Sequence, residues 1–96
     1  MKTEPPHLRP LYHSRGLKTS AIGLASFLSL RGNEIVGLEP EPGTGKFFVI
    51  LAPRTEIDQD LRDWEQNAPV HALDFAAEIA ALYRRFAEER AKGRAR

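Results

Sequence analysis

The chain predicts a small α+β domain in which a mostly antiparallel sheet is covered by three helices, in the order β-α-β-β-α-α. Two observations support this class. Apolar residues recur at helical spacing in three segments, and an apolar run of strand composition follows a loop rich in proline and glycine. With 96 residues, 42% of them hydrophobic and 28% charged, the chain suits one globular domain with a modest core.

The N-terminal region is predicted to be extended. Residues 1–10 contain three prolines, and each proline restricts its own backbone and that of the residue before it. We therefore predict that these residues form an extended basic arm. The segment Leu11–His13 is predicted to be a short edge strand, where a preceding proline is tolerated. Residues 14–18, with Gly16 among them, are predicted to turn the chain.

The first helix has a start signal and a stop signal. Thr19 or Ser20 can accept a hydrogen bond from an amide of the first turn, and Gly32 can take the left-handed conformation that ends many helices. The apolar stripe between them is wide. Gly23 is unfavourable inside a helix, so its presence predicts close approach of a neighbouring backbone.

A hairpin follows the first helix. Its first strand is predicted over residues 34–39, with a bulge or a close contact at Gly37, and its loop over residues 40–45. The second strand, residues 46–51, is apolar on both faces. Such a strand is either central and covered on both sides, or it exposes one face to a partner.

The second helix is predicted to begin at Thr55, with Asp58 as a weak acidic form of the capping box. Ile57, Leu61 and Trp64 share one side at helical spacing. Asp60 and the other charged residues occupy the remaining surface, which predicts a solvated helix face.

The third helix is predicted from about His71 to Lys92. Its apolar residues alternate at spacings of three and four: Ala72, Phe75, Ile79, Leu82 and Phe86. This seam is too short to establish a coiled coil, so packing on the sheet is the favoured interpretation and pairing with another chain is the alternative. The domain accordingly covers residues 11–92, and residues 93–96 form a basic C-terminal tail.

Composition excludes several classes of site. The chain has no cysteine, which removes disulfides, thiolate metal sites and cysteine nucleophiles. No apolar run approaches the length of a membrane span, and the N-terminus lacks the apolar region of a signal peptide. We therefore expect a soluble, cytoplasmic protein without a membrane partner.

No motif predicts catalysis, a cofactor or a metal. The segment before Lys46 resembles a phosphate loop only in part, because Pro40 and Phe47 occupy required glycine and hydroxyl positions. The histidines, His7, His13 and His71, lack the paired spacing of zinc sites. We expect no enzyme activity, no cofactor, no metal and no small-molecule substrate.

Charge is unevenly distributed, with basic ends and an acidic middle from Glu34 to Glu78. Basic ends can bind phosphates, or they can simply keep a small domain in solution. The candidate nucleic-acid contacts are the basic and aromatic side chains near both ends: Arg9, Tyr12, His13, Arg15, Lys18, Arg84, Arg85, Arg90 and Lys92.

One pattern resembles a family. The order of a Tyr12-His-Ser14 segment, a helix containing Ile22-Gly-Leu-Ala-Ser-Phe-Leu28, then Gly32 and a strand with Phe47 and Phe48 is similar to a small domain of unknown function found in bacteria and their phages. The resemblance implies the fold over about residues 11–86 and an origin in a phage or mobile element. It departs from the family before the helix, where an acidic residue is common and this chain has Lys18-Thr19-Ser20, and it implies no site residue.

The function predicted from the sequence is a non-enzymatic interaction module, binding a protein partner or forming a homodimer. Its candidate interface residues are apolar: Phe48, Ile50, Phe75, Ile79, Leu82 and Phe86. The alternative is a small DNA- or RNA-binding accessory protein that uses its basic termini.

Overall fold

The computed structural model describes residues 11–13 and 16–94, which form four strands and three helices. In chain order these are β1 (Leu11–His13), β2 (Gly16–Thr19), α1 (Ile22–Leu30), β3 (Ile35–Pro40), β4 (Phe47–Leu51), α2 (Ile57–Glu65) and α3 (Ala72–Arg94). The predicted α+β class is confirmed, and the elements follow the predicted order with β2 added. The predicted arm, residues 1–10, lies outside the described residues.

The strand β2 occupies most of the segment predicted to be a turn. It pairs antiparallel with β1 on one side and β4 on the other, so that the sheet order is β1-β2-β4-β3. Gly16 has a φ of +138°, and a Cβ on it would lie 1.8 Å from the carbonyl oxygen of Leu51. The glycine therefore permits a close approach of two backbones at the start of a strand.

The hairpin forms as predicted, with β4 in the middle of the sheet beside β2 and β3. Ile35 lies opposite Leu51 and Gly37 lies opposite Ile50, so Val36 is an extra residue on β3. The predicted irregularity at Gly37 is therefore a β-bulge.

The helix α1 ends as predicted and begins differently. Gly32 has a φ of +96°, and the amide of Asn33 donates to the carbonyl oxygen of Leu28 at 3.0 Å, as in a Schellman motif. At the other end the N-cap residue is Ala21, without a side-chain cap. Thr19 lies in β2, and its hydroxyl accepts a hydrogen bond from the Ala21 amide at 3.1 Å, which stabilises the connection between strand and helix.

The core lies between one face of the sheet and the helices α1 and α3. Its buried members are Leu17, Val49 and Leu51 from the sheet, Leu24, Ala25, Phe27 and Leu28 from α1, and Leu82 and Phe86 from α3. Each large apolar side chain buried in this way contributes about 1.5–3 kcal/mol. Because α1 is buried over five consecutive residues, it is the central helix of the fold.

Gly23 lies where an aromatic ring crosses α1. A Cβ at this position would lie 3.1 Å from Cη2 of Trp64. The expected close neighbour is therefore a side chain of α2 and not a backbone. Packing therefore still accounts for Gly23. The centroid of the Trp64 ring also lies 5.4 Å from that of the Phe27 ring.

The helix α2 carries a buried carboxylate that the sequence pattern placed on a solvated face. Asp60 is only 5% exposed, and its Oδ2 accepts hydrogen bonds from Nδ2 of Asn33 at 2.9 Å and NH1 of Arg54 at 3.1 Å. The Arg54 guanidinium also donates to the Arg31 carbonyl oxygen at 2.8 Å. This Asp60 network joins the end of α1 to α2. The helix itself starts at Ile57, after a turn at Thr55.

The helix α3 is longer than predicted, since it continues through Gly93. It packs against α1, and not primarily against the sheet. Phe86 reaches the sheet by stacking on Phe47, with 5.3 Å between the ring centroids.

Candidate functional site

Most of the predicted interface residues lie inside the folded chain. Leu82 and Phe86 belong to the core, Phe75 packs against it, and Ile79 is half-buried on the same side of α3. This seam is therefore the inner face of α3, which α1 of the same chain covers. The spacing indicated a buried face, but spacing does not specify which element buries it.

The two predicted interface residues of β4 lie on the sheet face that points away from the core cluster. Ile50 is fully buried within the chain. Phe48 is half-buried, and Nζ of Lys18 lies 4.6 Å from the centroid of its ring. Lys18 also pairs with Glu39 at 3.4 Å. The contacts of this lysine are therefore internal, which weakens its assignment as a phosphate contact.

The structure separates the other predicted nucleic-acid contacts. Arg9 and Arg15 lie outside the described residues, and Tyr12 and His13 lie in β1. Four of the predicted contacts lie on α3: Arg84, Arg85, Arg90 and Lys92. These four residues do not form a uniform phosphate-binding stripe, as their contacts differ.

Two of the basic residues on α3 already make contacts within the chain. Arg90 donates to the carbonyl oxygen of Gly45 at 3.2 Å, and its guanidinium lies 5.5 Å from the ring centroid of Phe47. Lys92 pairs with Glu89 at 3.3 Å. Arg84 and Arg85 are exposed, and no acidic residue in the described part of the chain forms an ion pair with them.

A surface that the sequence reasoning missed lies on α3 beside the inner seam, about 100° around the helix axis from it. We define the outer face of α3 by its exposed apolar residues at helical spacing: Leu73, Ala76, Ala77, Ala80, Tyr83 and Ala87. Leu73 is 86% exposed and Tyr83 is 55% exposed. From Leu73 to Ala87 the face extends for about 21 Å along the helix axis.

The outer face has the composition of a helix-packing surface. Four of its six residues are alanines, which let a second helix approach closely, and Leu73 and Tyr83 supply large apolar groups. Contiguous exposed apolar residues on a soluble domain indicate an interaction site. The alanine spacing could have indicated this face from the sequence, but the larger residues of the inner seam dominated the pattern.

A groove lined by both aromatic and polar residues also opens between α1, α2 and the start of α3. It has a volume of about 500 Å³, and its walls include Phe27, Trp64, Val70 and Phe75. The rings of Phe27 and Trp64 pack against each other at an interplanar angle of 50°, and Phe27 is buried. These rings already stabilise the monomer, whereas Leu73 and the alanines of the outer face are left exposed.

No candidate metal site is found among the described residues. The His, Asp and Glu side chains there form no group of three or more that could hold a metal ion. The helices of the same part of the chain include none that is long and apolar enough to cross a membrane.

Comparison of the chain with protein-family models, with curated proteins and with solved structures finds no match. The resemblance to a bacterial and phage domain therefore stays a prediction.

Proposed function

We propose that this protein is a non-enzymatic interaction module that forms a homodimer through the outer face of α3. The observation that supports this proposal is the exposure of Leu73 and Tyr83 on a face otherwise made of alanine. Burying these side chains against a second copy removes apolar surface from water, at about 25 cal/mol per Å². Alanine loses almost no side-chain entropy when it is buried, so the cost of ordering this face is small.

An antiparallel pairing with its two-fold axis at Ala80 fits the order of residues on the face. In that arrangement Leu73 lies level with Ala87 of the second copy, and Ala77 lies level with Tyr83 of the second copy. Each large side chain then meets a small one. A two-fold axis repeats every such contact, as in most homodimers.

Charge favours the same antiparallel register. Asp74 of one copy comes within two residues of the level of Arg84 of the second copy, or about 3 Å along the axis. A parallel pairing would instead place the two Arg84 guanidinium groups side by side. Because one helix face is smaller than the area of about 1,200 Å² or more that stable interfaces bury, we expect a reversible dimer.

The variant Ala80→Asp tests this proposal. It places a carboxylate beside its symmetry mate at the centre of the interface, so we expect dimerisation to weaken at least about tenfold. Sedimentation equilibrium over a range of concentrations measures the effect. Ala80 is exposed, so the thermal midpoint of the variant should stay close to that of the wild type.

Two control variants test the register of the pair. Ala91→Asp should leave the dimer intact, because residue 91 lies level with residue 69 of the second copy, before α3 begins. Exchanging the charges with Asp74→Arg and Arg84→Asp together should restore dimerisation that either change alone weakens. A wild-type protein that is monomeric at every concentration would refute the proposal, and equal effects of the two alanine variants would refute the register.

Nucleic-acid binding is a second candidate function, favoured by Arg84 and Arg85, which are exposed and form no ion pair with the described residues. If it applies, the double variant Arg84→Glu, Arg85→Glu should reduce binding of short mixed-sequence DNA or RNA and lessen the dependence of affinity on salt. The change Lys92→Glu should have a smaller effect, since Lys92 already pairs with Glu89. Fluorescence anisotropy at several salt concentrations measures both, and an unchanged salt slope in the double variant would exclude these arginines as phosphate contacts.

A further inference from the structure

A polar cavity lies between the C-terminal half of α1, the middle of α3 and the start of β3. It has a volume of about 350 Å³, which is within the range of small-molecule sites. Six polar residues line it: Ser26, Ser29, Asn33, Glu34, Glu78 and Arg85. No part of the outer face of α3 belongs to this cavity.

Two of the lining residues are buried and incompletely hydrogen-bonded. Ser26 and Asn33 are each 1% exposed, and Oγ of Ser26 and Oδ1 of Asn33 have no hydrogen-bond partner in the described structure. A buried polar atom without a partner is costly and uncommon in native proteins. Both residues line this cavity, so a polar group bound there is the natural candidate for the missing partners.

The missing partner of Asn33 must be a hydrogen-bond donor. Its Nδ2 already donates to the Leu28 carbonyl oxygen and to Oδ2 of Asp60, each at 2.9 Å. Exchanging the two ends of the amide would break both bonds, so the orientation of the side chain is set by the Asp60 network. Its Oδ1 is therefore an acceptor whose missing partner is an N–H or O–H group.

The charged side chains that line the cavity indicate which charged groups the ligand carries. Glu78 and Glu34 favour an ammonium group, and Glu78 also accepts a hydrogen bond from the hydroxyl of Ser29 at 2.8 Å. Arg85 has no ion-pair partner among the described residues and favours a carboxylate. An ammonium group and a carboxylate on one small molecule satisfy both signs of charge.

We propose that this cavity binds a small zwitterion of the amino-acid type. The ammonium group donates to Oδ1 of Asn33 and pairs with Glu78, while the carboxylate pairs with Arg85. Ser26 contributes a hydroxyl that can donate or accept. The site requires only one copy of the chain.

The test is a titration of the isotopically labelled full chain with named probes, followed by amide chemical shifts of residues around the cavity. Glycine and L-serine carry both charged groups, ethanolamine carries only the ammonium group, and acetate carries only the carboxylate. We expect saturable shifts at Ser29, Asn33 and Glu78 with the two amino acids, and affinities for ethanolamine and acetate that are each weaker by about tenfold or more.

Two exposed or half-exposed positions provide variants that leave the fold in place. Arg85→Gln should weaken binding of glycine about tenfold and leave binding of ethanolamine unchanged, whereas Glu78→Gln should weaken both. Arg84→Gln is the matched control, because it removes the same charge one residue away and outside the cavity, and it should change neither. If no probe shifts these amides at millimolar concentration, or if Arg84→Gln and Arg85→Gln act alike, the cavity is not a zwitterion site.

Discussion

Replacing Gly16 with alanine should lower the free energy of unfolding by more than about 3 kcal/mol, a large part of the stability of a domain of this size. The residue has a φ of +138°, which side chains rarely adopt, and the new Cβ would lie 1.8 Å from the carbonyl oxygen of Leu51. That oxygen belongs to the backbone of the central strand β4, which cannot move without disturbing its pairing with β2 and β3.

Urea denaturation followed by the fluorescence of Trp64, the one tryptophan of the chain, measures the loss. Gly43→Ala is the matched control, because Gly43 also has a positive φ, +78°, but no atom lies within 4 Å of its would-be Cβ. Gly43→Ala should lower the free energy of unfolding by only about 1–2 kcal/mol, which is the cost of the backbone strain alone. Equal losses in the two variants would show that the close approach to Leu51 is unimportant.

The second large effect is expected from Asp60→Ala, which should lower the free energy of unfolding by about 2–4 kcal/mol. The change removes the acceptor for both Asn33 and Arg54, whose bonds to Oδ2 measure 2.9 and 3.1 Å. Asn33 is buried, so its amide would lose a partner that water cannot readily replace. The contact between the end of α1 and α2 should loosen as a result.

Asp63→Ala separates this effect from the loss of an ordinary surface charge. Asp63 pairs with Arg31 at 3.0 Å, but both side chains are partly exposed, so its removal should cost less than about 1 kcal/mol. The same denaturation experiment compares the two variants. Amide hydrogen exchange should also accelerate at Asn33 and in the first turn of α2 for Asp60→Ala alone, and a similar response to both variants would argue against a special role for the Asp60 network.

Two features were predictable because short segments of sequence determine them. Gly32 ends α1 in the left-handed conformation, and Gly37 adjoins the extra residue Val36 of the bulge, so both irregularities lie within a few residues of the glycine that signals them. Gly16 was wrongly predicted to lie in a turn for a related reason. Its special conformation arises from contact with β4, which is distant in the sequence, and a local pattern cannot distinguish that contact from a turn.

The sites were less predictable than the fold. The inner seam of α3 was recognised as apolar, but only the packing of α1 shows that it is interior and unavailable to a partner. The outer face escaped notice because alanines are weakly apolar beside phenylalanine and isoleucine. The polar cavity could not be predicted, since Ser26 and Asn33 lie on or just after α1 while Glu78 and Arg85 lie on α3, and the four residues form no local motif.

The sequence by itself determined the fold class, the order of helices and hairpin, the end of α1 and the bulge in β3, because periodicity and glycine placement act over a few residues. Only the tertiary structure decided which apolar face is core and which is exposed, that Asp60 is buried, and that two oxygen atoms without partners share one cavity. These properties depend on contacts between residues far apart in the chain, such as the bond of 2.9 Å between Asn33 and Asp60.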